Sequence, residues 1–258
     1  MESFLNCQDQ IYSEEYCDFI GNRSLIESKY TLDCKQPLGA MFASLYLKLS
    51  DGYEDGTVYG YYNIPKLFGL QDTGSMESSG ILQVRENPDL KLDGSGVLIG
   101  FVDTGIDYAG SIFLKQDGTT RVTAIWDQTI PAGSPIRLPA QPELPETPEN
   151  ITRTPEGFLY GSEFTHEQLN AAVKMEDAYE GISSRDEIGH GTFLASIAAG
   201  NELPDGRFTG AAPKADIAMV KLKPAKNRLR AYYQIKEDAV AYQENDIMAG
   251  VLYLVSLA

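Results

Sequence analysis

The feature that most constrains this chain is an apolar run that ends in an aspartate, within Gly96–Asp107. Five of the six residues from Val97 to Val102 are large and apolar, with no polar alternation. This pattern is typical of a strand buried on both faces of a parallel sheet. Chemistry in open α/β sheets lies just past the carboxyl ends of the strands, which makes Asp103 a candidate site residue. An aspartate that only caps a β–α turn would give the same pattern.

A second stretch, Asp186–Gly200, places a histidine between two glycines. Gly189 and Gly191 flank His190, so the backbone can pass close to whatever the imidazole faces. Beyond this motif small and apolar residues recur at helical spacing, and the glycine at position 200 is typical of a helix end. The sequence therefore predicts His190 in the first turn of a largely buried helix.

Together the two stretches resemble the subtilisin-like serine proteases, the subtilases. The Asp motif of that family is matched by Val102–Ile106 and its His motif by Gly189–Thr192. A third match is Gly210–Ile217, and the order of Asp before His is also that of the family. The resemblance covers residues from roughly Gly80 to Ala258. Two further segments resemble the clostridial branch that includes the spore-germination proteases: Ile125–Thr129 and Ala241–Met248.

The resemblance implies an α/β fold with a doubly wound, mostly parallel sheet of subtilisin type. It implies that His190 is the base that takes the proton of a serine and returns it to the leaving amine. Asp103 would hold the imidazole tautomer and stabilise the imidazolium. No cofactor is needed for this chemistry. A structural calcium ion is common in the family, but the sequence assigns no ligand to it and no residue to substrate binding.

The nucleophile of this triad is missing from the sequence, because no Gly-Thr-Ser motif occurs in it. None of three other serines has the right setting. Ser95 precedes the Asp strand, Ser196 lies inside the predicted His helix, and Ser256 is close to the end of the sequence. We therefore expect the serine, and the asparagine of the oxyanion hole, to lie beyond Ala258. The chain alone is predicted to be inactive, with a truncated sheet. A missing carboxyl half or a partner chain is expected to cover the open sheet edge.

Two domains are expected. Residues 1–80 are read as a small α+β unit in the position of a propeptide, and residues 81–258 as the amino-terminal part of the catalytic domain, with a linker at Asp72–Gly80. The apolar stretch Leu38–Leu49 could be a strand or a helix, and Val58–Tyr62 is predicted to be a strand. The cysteines match neither a zinc site nor a disulfide scaffold and are read as reduced thiols: Cys7, Cys17 and Cys34.

The remaining segments give weaker expectations. A proline-rich insertion is expected at about residues 130–155, extended or disordered because it cannot bury enough apolar surface. Trp126 is interpreted as a packing residue, and Thr165 as the N-cap of a helix beside a surface His166. A basic cluster is expected to be a solvated loop: Lys221, Lys223, Lys226, Arg228 and Arg230. The carboxyl-terminal segment predicts a helix with an apolar stripe at Ile247, Val251 and Leu254.

Composition limits the class of partner and the compartment. The formal net charge of −16 argues against nucleic acid or an anionic membrane surface as a partner. The resemblance to subtilases implies a protein or peptide substrate. No apolar run is long enough for a transmembrane helix, and the acidic N-terminus lacks the features of a signal peptide. We expect a cytoplasmic protein, or a spore-associated one if the clostridial resemblance holds.

Two other functions fit parts of the sequence. A non-catalytic subtilase-like module that regulates or binds a partner would have no need of Asp103 and His190. An aspartic peptidase would use the two Asp-Thr-Gly turns at Asp72 and Asp103 as a carboxylate dyad. Against this reading, the short separation of the two turns cannot hold two equivalent lobes, and the Gly-His-Gly-Thr motif would have no role.

Overall fold

The computed structural model describes residues 6–30, 33–48, 60–68, 92–139, 151–203 and 208–258. Within these ranges the helices, in chain order, are α1 (Cys7–Tyr12), α2 (Arg23–Lys29), α3 (His166–Val173), α4 (Ala178–Gly181), α5 (His190–Ala199), α6 (Asn227–Tyr232) and α7 (Glu244–Leu257). The strands are β1 (Tyr16–Asn22), β2 (Cys34–Leu38), β3 (Phe42–Lys48), β4 (Leu67–Phe68), β5 (Leu98–Asp103), β6 (Val122–Asp127), β7 (Ser162–Thr165), β8 (Asp216–Lys221) and β9 (Tyr242–Gln243). None of the described helices has the length and apolar character that a membrane span needs.

The chain folds into two compact units, each built from separated segments. One unit contains Met1–Leu70, Thr154–Tyr160 and Lys223–Leu257, and the other contains Gln71–Arg153 and Gly161–Leu222. We call the first the N-terminal unit and the second the sheet unit. The boundary expected near residue 80, like the linker at Asp72–Gly80, lies outside the described residues. The assignment of residues 1–80 as a propeptide and of 81–258 as catalytic stays a prediction.

The N-terminal unit contains a three-stranded antiparallel sheet with strand order β1-β3-β2. In the ambiguous stretch Leu38–Leu49, Leu38 ends β2, a turn follows, and Phe42–Lys48 form β3, while Leu49 lies outside the described residues. Gly39 has φ 79°, a conformation that glycine adopts without strain, and this turn sets the β2–β3 register. The prediction of a strand at Val58–Tyr62 is wrong in its described part, because Tyr61–Asn63 form a turn of 3₁₀ helix.

The reading of all three cysteines as reduced thiols is wrong. Cys7 at the start of α1 and Cys34 at the start of β2 form a disulfide, with their Cα atoms 5.3 Å apart. The bond depends on how α1 and β2 come together in space, which the spacing in the sequence does not reveal. Cys17 in β1 is a buried free thiol, and burial raises the pKa of that thiol to about 11.

Two lysines of the predicted solvated cluster are buried in the N-terminal unit, which overturns that prediction for them. Lys226 is 5% exposed and pairs with the buried carboxylate of Asp18 on β1. The amides of Gln243 and Asn245 also donate to Asp18 Oδ2, over 2.8 and 3.0 Å. The burial of Lys226 is tolerated because its charge is paired with Asp18, and the burial of Asp18 is tolerated because its oxygens accept hydrogen bonds.

The second buried lysine forms a parallel arrangement beside the first. Lys223 Nζ lies 2.7 Å from Asp246 Oδ2, and the hydroxyl of Tyr160 donates to Asp246 Oδ1 over 2.9 Å. Burial raises the pKa of Asp246 in spite of the lysine. For Asp18, burial also acts to raise the pKa, but the charges of Lys226 and Lys223 outweigh it and the pKa lies below its ordinary value.

Helix α7 forms near the predicted place but buries a different face within its unit. Its buried residues are Asn245, Asp246, Ala249, Gly250 and Tyr253. Of the predicted apolar stripe, Ile247 and Leu254 are half-buried and Val251 is exposed. The polar network around Asp18 and Asp246 selects the buried face, and apolar periodicity alone could not predict this.

The sheet unit contains a four-stranded sheet with strand order β5-β8-β6-β7. β5, β8 and β6 are parallel, and β7 is antiparallel to β6. The α/β prediction is confirmed at this level, as a mixed sheet with helices. A doubly wound arrangement and a truncated sheet stay predictions. Trp126 in β6 is fully buried, as expected of a packing residue.

Strand β5 forms where the apolar run predicted it, but its burial differs from the prediction. Leu98, Ile99, Phe101 and Val102 are only half-buried, and Gly100 is exposed. Within the described residues β5 pairs with β8 alone, so it stands at the edge of the sheet. An apolar run of this kind is typical of a strand that is covered on both faces of its sheet.

Helix α3 begins as predicted. Thr165 is its N-cap, and Gln168 completes a capping box by accepting from the Thr165 backbone amide. His166 is half-buried rather than on the surface, with Nε2 3.0 Å from the carbonyl oxygen of Thr120. Residues 140–150 of the proline-rich insertion are not among the residues that the structure describes. On either side of them, Pro135 and Ile151 form an antiparallel β-bridge.

The buried pair Asp18–Lys226 gives a stability prediction. Asp18→Asn keeps the size of the side chain but leaves the lysine charge uncompensated, so we expect the free energy of unfolding at pH 7 to fall by about 3–5 kcal/mol. The pKa of Asp18 is lowered on folding, so its contribution is complete above the ordinary carboxyl pKa of about 3.9 and is lost as the pH falls through the folded value. The difference between wild type and variant should shrink below about pH 4.

Urea unfolding followed by circular dichroism measures both effects. The control is Glu15→Gln, because Glu15 pairs with Lys48 at 3.5 Å with both side chains about two-thirds exposed. We expect that control to change stability by about 1 kcal/mol or less. An Asp18→Asn variant as stable as the control would contradict the role given to the buried pair.

Candidate active site

The candidate site forms where three parallel strands of the sheet unit end. Lys221 at the end of β8 is paired in register with Asp103 at the end of β5 and with Asp127 at the end of β6. Because the carboxyl ends of parallel strands meet at one edge of a sheet, these charged residues lie in one row. Asp103 therefore takes the position at the strand end that its apolar run predicted.

The second predicted site residue, His190, is the first residue of α5 and faces Asp103. His190 Nδ1 lies 2.9 Å from Asp103 Oδ1 and 3.1 Å from Oδ2. Both side chains are largely buried, with 17% and 12% of their surfaces exposed. A carboxylate at Nδ1 favours the tautomer with the proton on that atom, which leaves the lone pair on Nε2. The pair can therefore accept a proton at Nε2 and stabilise the resulting imidazolium.

The glycines around His190 allow the two segments to approach closely. A Cβ atom on Gly191 would lie 2.2 Å from the carbonyl oxygen of Gly105 and 3.2 Å from Asp103 Cβ. Gly105 itself has φ 120°, in the region that favours glycine. Gly189 is the N-cap of α5 with φ 88°. The two glycines of the His motif thus have different roles, one for close contact and one for backbone conformation.

A threonine hydroxyl joins the two segments. Thr104 Oγ1 accepts a hydrogen bond from the backbone amide of Gly191 over 2.9 Å. The backbone amide of Thr104 donates to Asp103 Oδ1 over 2.7 Å, and this bond helps to fix the carboxylate. The hydrogen bonds hold the carboxylate in the orientation that it needs to face the imidazole.

Two charged residues near the site were missed in the sequence. Lys221 is 7% exposed, and its Nζ donates to Glu187 Oε2 over 2.7 Å, so the prediction of a solvated lysine is wrong here too. Asp127 is fully buried and accepts a hydrogen bond from Ser184 over 2.7 Å. Each residue ends an apolar strand as Asp103 does, and this shared pattern is the signal that could have found them.

The described residues hold no cluster of three or more histidine, cysteine, aspartate or glutamate side chains that could bind a metal ion. The calcium ion that the family resemblance allows therefore has no assigned ligands, and it stays a prediction.

Residues 94–249 match the subtilase family, peptidase S8. This match covers more than half of the chain and includes both Asp103 and His190. The chain belongs to the subtilase family. The resemblance drawn from the Asp and His motifs is thereby confirmed.

Two curated relatives are subtilisin-like proteases of Arabidopsis thaliana. SBT3.5 is 29% identical over an alignment of 168 positions, and the alignment covers 61% of this chain and 19% of that protein. SBT3.8 is 30% identical over an alignment of 144 positions, and the alignment covers 50% of this chain and 16% of that protein. The chain thus spans less than a fifth of the length of these relatives.

Among solved structures, the CspB protease of Clostridium perfringens matches with a TM-score of 0.47 and 28% identity, over 69% of this chain and 29% of that chain. The placement of this subtilase in the clostridial branch stays a prediction.

The close approach of the two motifs gives a prediction for Gly191→Ala. The added methyl group would meet a backbone oxygen and the Asp103 side chain, so one of the two segments must move. We expect the free energy of unfolding to fall by about 1–3 kcal/mol or more. Fluorescence of Trp126, the single tryptophan, follows unfolding of the sheet unit.

The control for this variant is Gly60→Ala, where the added Cβ would meet only Asn63 Oδ1 at 3.7 Å. Thermal melting followed by circular dichroism compares the two variants with wild type. Equal and small losses in both variants would show that the segments are not in the close contact described.

Proposed function

We propose that this subtilase is part of a serine endopeptidase in which Asp103 and His190 are two members of an Asp-His-Ser triad. The observation that carries the proposal is the contact of His190 Nδ1 with both oxygens of Asp103. The match of this region to a family of serine peptidases supports the same chemistry.

In the proposed reaction His190 acts as a general base and then as a general acid. Its Nε2 takes the proton of the attacking serine hydroxyl and delivers it to the leaving amine of the peptide. Asp103 keeps the proton of the neutral ring on Nδ1 and stabilises the imidazolium that forms. This carboxylate stays ionised throughout and does not itself take the proton.

We propose that the nucleophilic serine lies outside residues 1–258. The sequence contains no Gly-Thr-Ser, and the hydroxyls of two serines considered earlier are engaged in their own helices. Ser196 donates to the carbonyl of Thr192 over 2.7 Å, and Ser256 donates to that of Tyr253 over 2.6 Å. The chain alone is then inactive, because removing the serine of a subtilisin triad lowers kcat by about 10⁶-fold.

The half-buried, apolar strand β5 is the expected place for the rest of the enzyme to join the sheet unit. An edge strand of this kind presents unpaired backbone groups and apolar side chains that an added strand would cover. The added strand belongs to the carboxyl half of the enzyme, supplied by the same polypeptide or by a partner chain.

The substrate class is protein or peptide, as for other subtilases. The net charge of −16 disfavours a nucleic acid partner. An aspartic peptidase is disfavoured by the site, because the Asp103 carboxylate faces an imidazole and not a second carboxylate. Asp72, the other aspartate of that hypothesis, lies outside the described residues. No observation favours a non-catalytic module over the enzyme.

The test is to read the source gene past codon 258 and to express the longest product that contains this chain. We expect that product to cleave casein and to lose activity with a fluorophosphonate but not with pepstatin. His190→Ala should lower kcat by about 10⁶-fold and Asp103→Ala by about 10⁴-fold, the losses found on removing these members of a subtilisin triad.

The matched control is His166→Ala, which removes the only other histidine of the 258 residues. It should leave kcat within a few-fold of wild type. Cleavage that persists in His190→Ala, or that pepstatin alone blocks, would overturn the proposed function. Fluorophosphonate-sensitive turnover by residues 1–258 alone would overturn the placement of the serine.

A further inference from the structure

A carboxylate outside the proposed triad is bonded to the segments that carry both Asp103 and His190. Asp186 lies in the loop before α5. Its Oδ1 accepts from the hydroxyl of Thr104 over 2.7 Å and from the backbone amide of Gly189 over 2.8 Å. Its Oδ2 accepts from the backbone amide and the hydroxyl of Thr192, over 2.8 and 2.7 Å. One side chain thus connects the turn after β5 to the first turn of α5.

The bonds of Asp186 end one or two residues from each triad member. Thr104 follows Asp103 directly, and its hydroxyl also accepts from the amide of Gly191, which follows His190 directly. Gly189 precedes His190. A displacement of the Asp186 carboxylate would therefore move the backbone on both sides of the Asp103–His190 contact.

The loop that carries Asp186 is itself fixed to the carboxyl ends of two strands. Ser184 donates to the buried carboxylate of Asp127 at the end of β6 over 2.7 Å. Lys221 at the end of β8 donates to the carbonyl of Arg185 over 2.6 Å. Asp127 and Lys221 therefore hold the loop that carries Asp186, and this role lies outside the proposed triad.

The ionised form of Asp186 is the form that these contacts need. Partial burial acts to raise its pKa, but the hydrogen bonds from Thr192, Thr104 and Gly189 outweigh burial, and the pKa lies below its ordinary value. All of these donors point toward carboxylate oxygens, so an amide in place of the carboxylate would turn one acceptor into a donor.

Helix capping explains only part of this arrangement. A cap would satisfy the amides of Gly189 and Thr192 at the start of α5. The hydrogen bond from Thr104 is not part of a cap, because it comes from a separate segment 82 residues earlier. This bond joins the strand end to the helix start.

We propose that Asp186 is a positioning residue that sets the orientation of His190 toward Asp103 through Thr104 and the start of α5. This inference rests on the proposed function, in which those two residues are triad members. Asp186 does not touch the reacting atoms and acts only through its neighbours.

The test uses the 258-residue chain labelled with ¹⁵N in its two histidines, and the ring-nitrogen shifts report the tautomer of each. We expect wild-type His190 to carry its proton on Nδ1 at a pH where the ring is neutral. Asp186→Asn should cause loss of this single form, with a mixture of Nδ1–H and Nε2–H tautomers instead. Thr104→Val, which removes the bridging hydroxyl, should have the same effect.

The matched control is Asp117→Asn. Asp117 accepts from the backbone amide and the hydroxyl of Thr119, as Asp186 does from Thr192. It precedes the amino end of β6, whereas Asp103 and Asp127 lie at the carboxyl ends of their strands. We expect it to leave the His190 spectrum unchanged. His166 serves as an internal reference in every sample.

The outcomes separate this inference from the proposed function. If Asp103→Ala changes the His190 tautomer and folded Asp186→Asn and Thr104→Val do not, the positioning role is wrong and the triad assignment stands. If the tautomer is unaffected by Asp103→Ala as well, the proposed function loses its central contact. A lower melting temperature with an unchanged tautomer would show that Asp186 is only a structural cap.

Discussion

The parallel pairing of β5 with β8, and of β8 with β6, determines where chemistry can occur in this subtilase. The pairing aligns the carboxyl ends of three strands, so Asp103, Lys221 and Asp127 stand in register at one edge. A slip of one residue would turn each side chain to the other face of the sheet. The site is therefore a consequence of strand register first and of local side-chain contacts second.

Backbone proximity is the second constraint. The start of α5 approaches the turn after β5 so closely that no side chain fits at position 191. At this separation a threonine hydroxyl and a single carboxylate are enough to connect the two segments. The Asp103–His190 contact is short because two backbones are held together, and not because two long side chains reach across a gap. Such rigidity reduces the reorganisation that a proton transfer requires.

The sequence predicted those parts of the structure that depend on local patterns. The apolar run predicted β5 and the position of Asp103, and the glycine-framed motif predicted His190 at the start of α5. The parts that were mispredicted depend on contacts between distant segments. Lys223 and Lys226 are buried because Asp246 and Asp18 reach them, and Cys7 pairs with Cys34 because α1 meets β2. Asp186 gave no separate signal, since its importance comes from Thr104, on another segment.

The central claim is that the Nδ1–H of His190 donates a hydrogen bond to the ionised Asp103 carboxylate, and a proton NMR spectrum of the 258-residue chain tests it most directly. A hydrogen bond between imidazole Nδ1–H and a buried carboxylate gives a protected resonance far downfield of the amide protons. The account predicts one such resonance, assigned to His190, that is present in wild type and in Asp117→Asn and absent in Asp103→Ala. A folded wild-type chain without this resonance, or one in which it survives Asp103→Ala, would contradict the account.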